Sequence, residues 1–314
     1  MKQLLTMYEQ AQNLTPAAFL DACTELLQQL LPFDKSMMIY GLLDPQTFKV
    51  SAVHLDRLPL EKLQKRLAIK EVDPILTQAT HEKERSATLA VAELAPNHPH
   101  LYRHANEFDL AHILTFCTHA STRTSQQGLI SLYRANPAQP FSSNELKLCD
   151  FFLPHIFVAY QINLRLHHAE SAQGCLTLIS ALDGRLYFLE ESVEKLLQQE
   201  WEGWIPPLLP EDLLQLLLQG ESYYGRFLLA TAKLDQGLLF IRLSQRLYPS
   251  LTEAELRAAR LVVQGLSYKE AARTLKVSPS TVSNQLQSAY KKLEVGSKIE
   301  LGQKLQLTFD GHFS

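Results

Sequence analysis

Residues 251–307 read LTEAELRAARLVVQGLSYKEAARTLKVSPSTVSNQLQSAYKKLEVGSKIELGQKLQL, and three helix starts follow one another within them. Thr252 and Glu255 have the capping-box spacing: a hydroxyl for the first free N–H groups, and a carboxylate reaching back from three residues later. Ser267 and Glu270 repeat the device just after Gly265, a residue suited to stop the first helix. Ser278 then precedes Pro279, a hydroxyl cap followed by the residue best tolerated at the first helical position. Leu275-Lys276-Val277 leaves only a short turn between the second and third helices. Two short helices joined this tightly make a helix-turn-helix.

The third helix, roughly Pro279 to Leu293, has two faces. Val282, Leu286, Ala289 and Leu293 recur at intervals of four, three and four and form one apolar stripe. The other side carries Ser280, Ser283, Asn284, Gln287, Ser288, Lys291 and Lys292. Asn and Gln can offer a donor and an acceptor together to the major-groove edge of adenine, and Ser can bond base edges or phosphate. Lys291 and Lys292, at the far end, can meet phosphates. A polar face alone is usually a solvated face; three consecutive capped helices and an amide-rich surface point to DNA.

The residues Leu251-Thr252-x-x-Glu255, Gly265-Leu266-Ser267-x-Lys269-Glu270-x-Ala272, Leu275, Val277-Ser278-x-x-Thr281-Val282 and Lys292-Leu293-x-Val295-x-Ser297-x-x-Glu300 resemble the four-helix DNA-binding domain of LuxR/GerE-type bacterial transcription regulators. The resemblance covers about the last fifth of the chain. It implies that the helix from Pro279 enters the major groove, with Ser283, Asn284 and Gln287 at base-reading positions. It also implies that a last helix, about Ser297 to Leu307, supports dimerisation. The positions expected at DNA are Thr252, Lys269, Ser280, Thr281, Ser283, Asn284, Gln287, Lys291, Lys292 and Lys298. Three positions depart from the usual pattern: Ser283 replaces a common lysine or arginine, Gln285 a frequent histidine, and Ala254 a frequent arginine. Fewer charges at these points imply weaker nonspecific affinity.

The chain of 314 residues is long enough for two or three domains, and its hydrophobic fraction of 46% is ordinary for globular cores. The formal charge of −3 hides an asymmetry: from Pro249 onward nine Lys/Arg face six Asp/Glu, a net of +3, which leaves −6 on the rest. A mildly basic end on an acidic body fits a nucleic-acid module attached to something that is not one. Cys23, Cys117, Cys149 and Cys175 lie far apart and read as buried free thiols, not as disulfide or zinc ligands. No apolar run has the length of a membrane span, and Met1-Lys2 leads into an amphipathic helix containing Tyr8-Glu9-Gln10, not a secretory pattern. The expectation is a cytoplasmic protein.

Upstream of the helix-turn-helix, the first body domain spans 1–170. A cap at Thr15 with Pro16 opens a helix to about Leu31. Ser36 to Leu43 is a strand, Asp44-Pro45 a turn, and Phe48, Val50 and Ala52 alternate with polar neighbours in a second strand. Helical and loop segments follow from Pro59 to Leu67, after Asp73-Pro74, and from His100 to Phe108. Two strands, His112 to Thr118 and Leu129 to Arg134, precede a long helix from Ser142 to about His168, opened by a capping box with Glu145. This order gives an antiparallel sheet covered by helices, an α+β fold.

The stretch Gly128-Leu129-Ile130-Ser131-Leu132-Tyr133-Arg134, with Pro140-Phe141-Ser142-x-x-Glu145 and Leu153-Pro154-His155, resembles GAF-like sensor domains found ahead of this DNA-binding type. Autoinducer-binding domains of quorum-sensing regulators share a comparable layout, including an Asp-Pro like Asp73-Pro74. The tryptophans and tyrosines that typically line an acyl-homoserine lactone pocket are not evident near it. That argues against the lactone and leaves other small molecules open. Candidate ligand-facing residues are Tyr40, Asp73, Tyr102, His112, Phe116 and Tyr133; each taken singly fits better as a core aromatic or a satisfied surface group, and only as a group do they suit a pocket. His100 and His104 have a spacing that permits metal ligation, but no carboxylate or cysteine completes a set. Nucleophile-elbow and phosphate-loop signatures are missing, so an enzyme is not expected, nor is any cofactor.

A smaller α+β unit spans 171–247. Leu176-Thr177-Leu178-Ile179 and Leu186-Tyr187-Phe188 flank the turn Asp183-Gly184. Helices run over Glu191 to Trp201 and Glu211 to Gln219, and a second hairpin, Phe227 to Lys233 with Gly237 to Leu243, turns around Asp235-Gln236. The Asp-Gly hairpin followed by a helix is similar to the opening of a PAS-type domain. Trp201 and Trp204 fit either a pocket or an anchor for the loop between the helices. With the DNA-binding end at 248–314, the whole reads as a one-component transcription regulator. Its expected partners are double-stranded DNA, a small-molecule effector, a second copy of the chain and RNA polymerase. The competing reading is a body controlled by a protein partner, with no small molecule.

Overall fold

The computed structural model describes residues 2–43, 48–119, 126–169, 176–189, 191–246 and 251–306. They form two compact units, Met1–Tyr223 with Ala230–Leu243, and Tyr224–Leu229 with Ser244–Ser314. The turn expected at Asp44-Pro45, Cys175 and the boundaries at 170/171 and 247/248 lie outside the described residues.

Helix α1 (Lys2–Asn13) is followed at once by α2 (Pro16–Leu30), where the Thr15 hydroxyl accepts from the Ala18 N–H and Pro16 occupies the first turn. Strands β1 (Lys35–Leu43) and β2 (Phe48–Asp56) form the first hairpin, and α3 (Leu60–Ala68) and α4 (Pro74–His81) follow. Next come β3 (Ala87–Ala90), a 3-10 turn over Val91–Leu94, α5 (Pro99–Glu107), β4 (His112–Cys117), β5 (Gln127–Arg134) and the long α6 (Ser143–Ala169). The capping box opening α6 is present, with Ser142 N–H donating to Glu145 Oε2 at 2.7 Å. Strand β3 was not expected from the sequence; it is four residues long and pairs only along β4 in the register Ala87 to Thr115.

The five strands form one antiparallel sheet in the order β2-β1-β5-β4-β3. Both of its faces are covered. Met38, Leu114, Phe116, Ile130 and Leu132 face a cluster with Phe19, Leu27, Phe157 and Tyr160 from α2 and α6. Met37, Ile39, Leu129 and Tyr133 face Leu63, Ile75, Leu76 and Leu101 from α3, α4 and α5. Every residue of β5 is therefore buried, and on β2 Ser51 and Val53 are buried beside Val50 and Ala52. The alternation expected for a one-faced strand gives way to continuous burial because helices pack on either side. Helix α6 lies flush on β5: a Cβ on Gly128 would stand 2.2 Å from Phe157 Cε1, so only glycine fits there.

The second sheet is built from β6 (Leu176–Ala181), β7 (Leu186–Phe188), β8 (Tyr223–Tyr224), β9 (Leu228–Asp235) and β10 (Leu238–Gln245), in the order β7-β6-β10-β9-β8. Helices α7 (Glu191–Glu200) and α8 (Glu211–Leu218) lie between β7 and β8 in sequence. The turn joining β9 to β10 has Gln236 at φ 46° and Gly237 at φ 77° as its central pair, one residue later than Asp235-Gln236. A two-residue hairpin turn with both centres left-handed favours glycine, and Gly237 supplies it. Ile179, Ala181, Tyr187 and Leu238 join the cluster under the first sheet, and Tyr160 Oη donates to the Tyr187 carbonyl at 2.8 Å. The indole N–H of Trp201 donates to Asp212 at 3.0 Å and that of Trp204 to the Leu208 carbonyl at 2.7 Å, so both rings pin the loop between α7 and α8.

The remaining helices are α9 (Glu253–Val263), α10 (Tyr268–Leu275), α11 (Pro279–Leu293) and α12 (Lys298–Gln306). Their core is Leu251, Ala258, Ala259, Val262, Ala271, Ala272, Val282, Leu286, Ala289, Leu293, Leu301 and Leu305, with Leu261 and Leu275 packed at its margin. Small alanines on α9 and α10 let the short helices approach closely. Each buried leucine contributes about 1.5–3 kcal/mol. The α+β reading, with a helical helix-turn-helix end, holds.

Candidate functional site

The first unit contains a cavity of about 70 Å³ between the sheet and α3, α4 and α5. Most of its wall is apolar, but charged groups enter from α3 and the cap of α4, and a histidine from α5. Lys62 is only 4% exposed; its Nζ donates to Tyr133 Oη at 2.7 Å and sits 4.2 Å from the ring centroid. One turn further on α3, Arg66 Nη2 donates to Asp73 Oδ2 at 3.0 Å, while Asp73 Oδ1 caps α4 through the N–H groups of Ile75 and Leu76. His104 on α5 is 8% exposed, and among the described residues neither ring nitrogen has a hydrogen-bond partner. Across the sheet, the Thr115 and Ser131 hydroxyls share a hydrogen bond of 3.0 Å.

Burial dominates the ionisation of these groups. It lowers the Lys62 ammonium to about 7, helped by Arg66 and Lys35 and opposed by Asp73. His104 falls to about 4, first through burial and then through Lys62 and Arg66. The Tyr133 phenol is pushed above its ordinary range by burial.

Of the six candidate ligand residues, Asp73 and Tyr133 line this cavity. Tyr40 and Phe116 face the other side of the sheet, against Phe157 and Tyr160. Tyr102 packs half-buried on the apolar cluster of α3 to α5, outside the lining, and His112 Nε2 stands 2.9 Å from the Pro137 carbonyl. The sequence reading does not single out Lys62 or Arg66 in the helix from Pro59 to Leu67, and weighs His104 only with His100 as a metal pair. His100 points outward to Glu71 while His104 points inward, so the pair does not converge. Among the described residues no group of three His, Cys, Asp or Glu is placed to hold a metal ion.

In the second unit, all three helix starts carry the caps read from the sequence. Thr252 Oγ1 accepts from Glu255 N–H at 3.3 Å, and Glu255 Oε2 accepts from Thr252 N–H at 2.7 Å. Ser267 and Glu270 make the same exchange at 3.4 and 2.8 Å. Ser278 Oγ accepts from Thr281 N–H at 3.1 Å. Gly265, at φ 104°, follows α9. The α10–α11 turn puts Lys276, not a glycine, in the left-handed region at φ 56°, with Val277 N–H donating to the Ala272 carbonyl at 3.0 Å.

Helix α11 buries Val282, Leu286, Ala289 and Leu293 and leaves Asn284, Gln287 and Lys291 exposed, with Ser283 half-buried beside them. Ser280 and Thr281 hydroxyls are tied to Ser278 Oγ at 2.7 and 2.8 Å. Lys269 on α10 and Lys298 at the start of α12 are exposed, and Thr252 serves as the α9 cap. Lys292 is exposed as well, and its Nζ donates to both Glu255 oxygens, at 3.0 and 2.8 Å, so a phosphate would have to share it with that carboxylate. Ser288 Oγ donates to Glu255 Oε1 at 2.5 Å. Burial would raise the Glu255 carboxyl, but the bonds from Lys292, Ser288 and Thr252 outweigh it and hold the pKa at about 2.

Residues 249–304 match the family described as bacterial regulatory proteins, luxR family. The C-terminal segment is a LuxR-type helix-turn-helix domain. Similar solved structures include the N-acylhomoserine lactone dependent LuxR family transcription factor CepR2 from Burkholderia cenocepacia, 15% identical with a TM-score of 0.41, covering 54% of this chain and 96% of that one. Escherichia coli SdiA is 15% identical with a TM-score of 0.38, over 98% of this chain and 96% of that one. The phycoerythrobilin-bound GAF domain of a cyanobacterial phytochrome is 14% identical with a TM-score of 0.36, over 53% of this chain and 97% of that one. No curated relative matches the chain. No described helix is long and apolar enough to cross a membrane.

Within the LuxR-type domain, the positions that depart from the usual pattern have distinct settings. Ala254 is exposed on the first turn of α9 and Ser283 is half-buried on α11. Gln285 is half-buried as a residue, and its Oε1 is buried without a partner in the described structure.

Proposed function

We propose that the chain is a one-component transcription regulator: its LuxR-type domain binds double-stranded DNA through α11, and a small molecule in the cavity under α3 to α5 controls it. The observation that carries the DNA reading is the position of Asn284 and Gln287. They are exposed one turn apart, opposite a face sealed by Val282, Leu286, Ala289 and Leu293. Both amides can therefore reach adjacent bases in a major groove. Selection of bound sequences from random DNA tests this. Asn284→Ala/Gln287→Ala is expected to relax the preference at one or two positions; an unchanged preference in the double variant would remove the assignment.

Support for the small-molecule reading comes from a pocket that is mostly apolar with a few convergent polar groups, among them a buried histidine whose ring nitrogens have no partner among the described residues. Ligand binding to one of two conformations would shift the population competent for DNA. A second reading has an observation of its own. Phe151 and Val158 on α6 are 60% and 50% exposed, two turns apart on one side, and would suit a protein partner or a second copy. Native mass spectrometry of the purified protein separates the two: a co-purified small molecule favours the cavity, and a bound protein with an empty cavity favours α6.

A further inference from the structure

The charges around the cavity do not balance. Asp73 is the single carboxylate in its lining, and Arg66 together with the Ile75 and Leu76 N–H groups already engages it. Lys62 has a neutral partner, the Tyr133 hydroxyl, and no carboxylate pairs with it among the described residues. An ammonium has three donors, so one bond to a phenol leaves it under-satisfied in a site from which water is largely excluded. His104 stands in the same wall, and among the described residues both its ring nitrogens are idle, although buried polar groups are normally bonded. Apart from Arg66, Tyr133 and the mutually bonded hydroxyls of Thr115 and Ser131, the rest of the wall is apolar, including Met37, Leu101 and Ile113.

We propose that this cavity takes a small aliphatic carboxylate, whose oxygens accept from Lys62 and His104 while its short tail meets the apolar wall. The inference rests on the reading of the cavity as the effector site and specifies the ligand's chemical class. A carboxylate supplies what the site lacks, a counter-charge for Lys62 and an acceptor for an imidazole N–H, and it leaves the Arg66–Asp73 pair intact. Charge-assisted bonds of this kind are shorter and stronger than neutral ones. Burial has already driven the Lys62 ammonium down to about 7, and an anion beside it would restore the charged form. A neutral ligand of the same shape would leave the ammonium without a counter-ion.

The test is calorimetric titration of the full-length protein with sodium formate and acetate, and with formamide and acetamide, at matched ionic strength. The expected result is that at least one carboxylate binds about tenfold or more tightly than its amide. Lys62→Met should lower carboxylate affinity to the level of the amide. The amide series keeps the comparison valid in the unaltered protein should the variant fold poorly. Equal binding of acid and amide would overturn the anion inference and leave the cavity as a small-molecule site. Carboxylate binding that survives in Lys62→Met would overturn it as a general salt effect. No binding of either series would also overturn it, and the effector reading would then stand or fall by the co-purified ligand.

Discussion

Glu255 and Lys292 are 37 positions apart in sequence and 2.8 Å apart in space. The carboxylate that completes the α9 capping box also receives the Ser288 hydroxyl and the Lys292 ammonium from α11. One buried group thus fixes a helix start and the angle at which the next-but-one helix crosses it. Glu255→Gln keeps the shape and loses the charge, and should destabilise the domain by about 2 kcal/mol. The folded pKa of Glu255, about 2, lies below its ordinary 4.5. Its stabilisation is therefore complete above 4.5 and disappears as pH falls toward 2. Urea denaturation between these limits should show a steeper loss in the parent than in Glu255→Gln. Parallel curves would mean that the charge contributes nothing.

The same pair separates the lysines by role. Lys269 and Lys291 project into solvent, so neutralising either should reduce the slope of log affinity against log salt by about 0.9. Lys292→Ala should instead lower the melting temperature while changing the slope less. If all three substitutions change the slope equally, the Glu255 pairing does not persist on DNA.

Lys62 makes the opposite kind of prediction. Its folded pKa of about 7 lies below the ordinary 10.5, so the unfolded chain holds the extra proton between these values. Stability should rise with pH through that window and level off on either side of it. Arg66 on the same helix, Asp73 at the start of α4, His104 on α5, Lys35 on β1 and Tyr133 on β5 all bear on this titration. Lys62→Met should be more stable than the parent at neutral pH and should lack the rise. A variant less stable at every pH would mean that the bond to Tyr133 outweighs the buried charge.

Much of this was legible because the signals are local. The caps at Thr252, Ser267, Ser278, Ser142 and Thr15 are three-residue relationships, and the structure has each of them. The apolar stripe on α11 needed only helical periodicity. What escaped depends on neighbours distant in sequence. Strand β3, Ala87–Ala90, has little β character of its own and exists as the edge partner of β4. Lys62 sits in a charged run that looks solvated, and its burial follows from how α3 lies on β5. The hydrogen bonds of Lys292 to Glu255 could not be read from its place on the exposed end of α11.

Because the core of the LuxR-type domain comes from its own four helices, a fragment from residue 249 onward should be helical and bind operator DNA. It should bind more weakly than the full chain if two copies ordinarily occupy two half-sites. Fusion to an unrelated dimerising domain should then recover most of the loss. Titration of one operator with the three proteins checks this, and a fusion no tighter than the fragment would rule out paired half-sites.

The size of the cavity under α3 to α5 sets the concentration range in which such a regulator could respond. A dry cavity of about 150 Å³ accommodates the six carbons of benzene. By that ratio 70 Å³ admits roughly three heavy atoms. Even the most efficient small ligands gain no more than about 1.5 kcal/mol per heavy atom. The ceiling is then roughly 4.5 kcal/mol, or a dissociation constant on the order of half a millimolar. A receptor built this way reports the level of an abundant metabolite, and nanomolar sensitivity would require α3, α4 and α5 to move outward to admit a larger molecule.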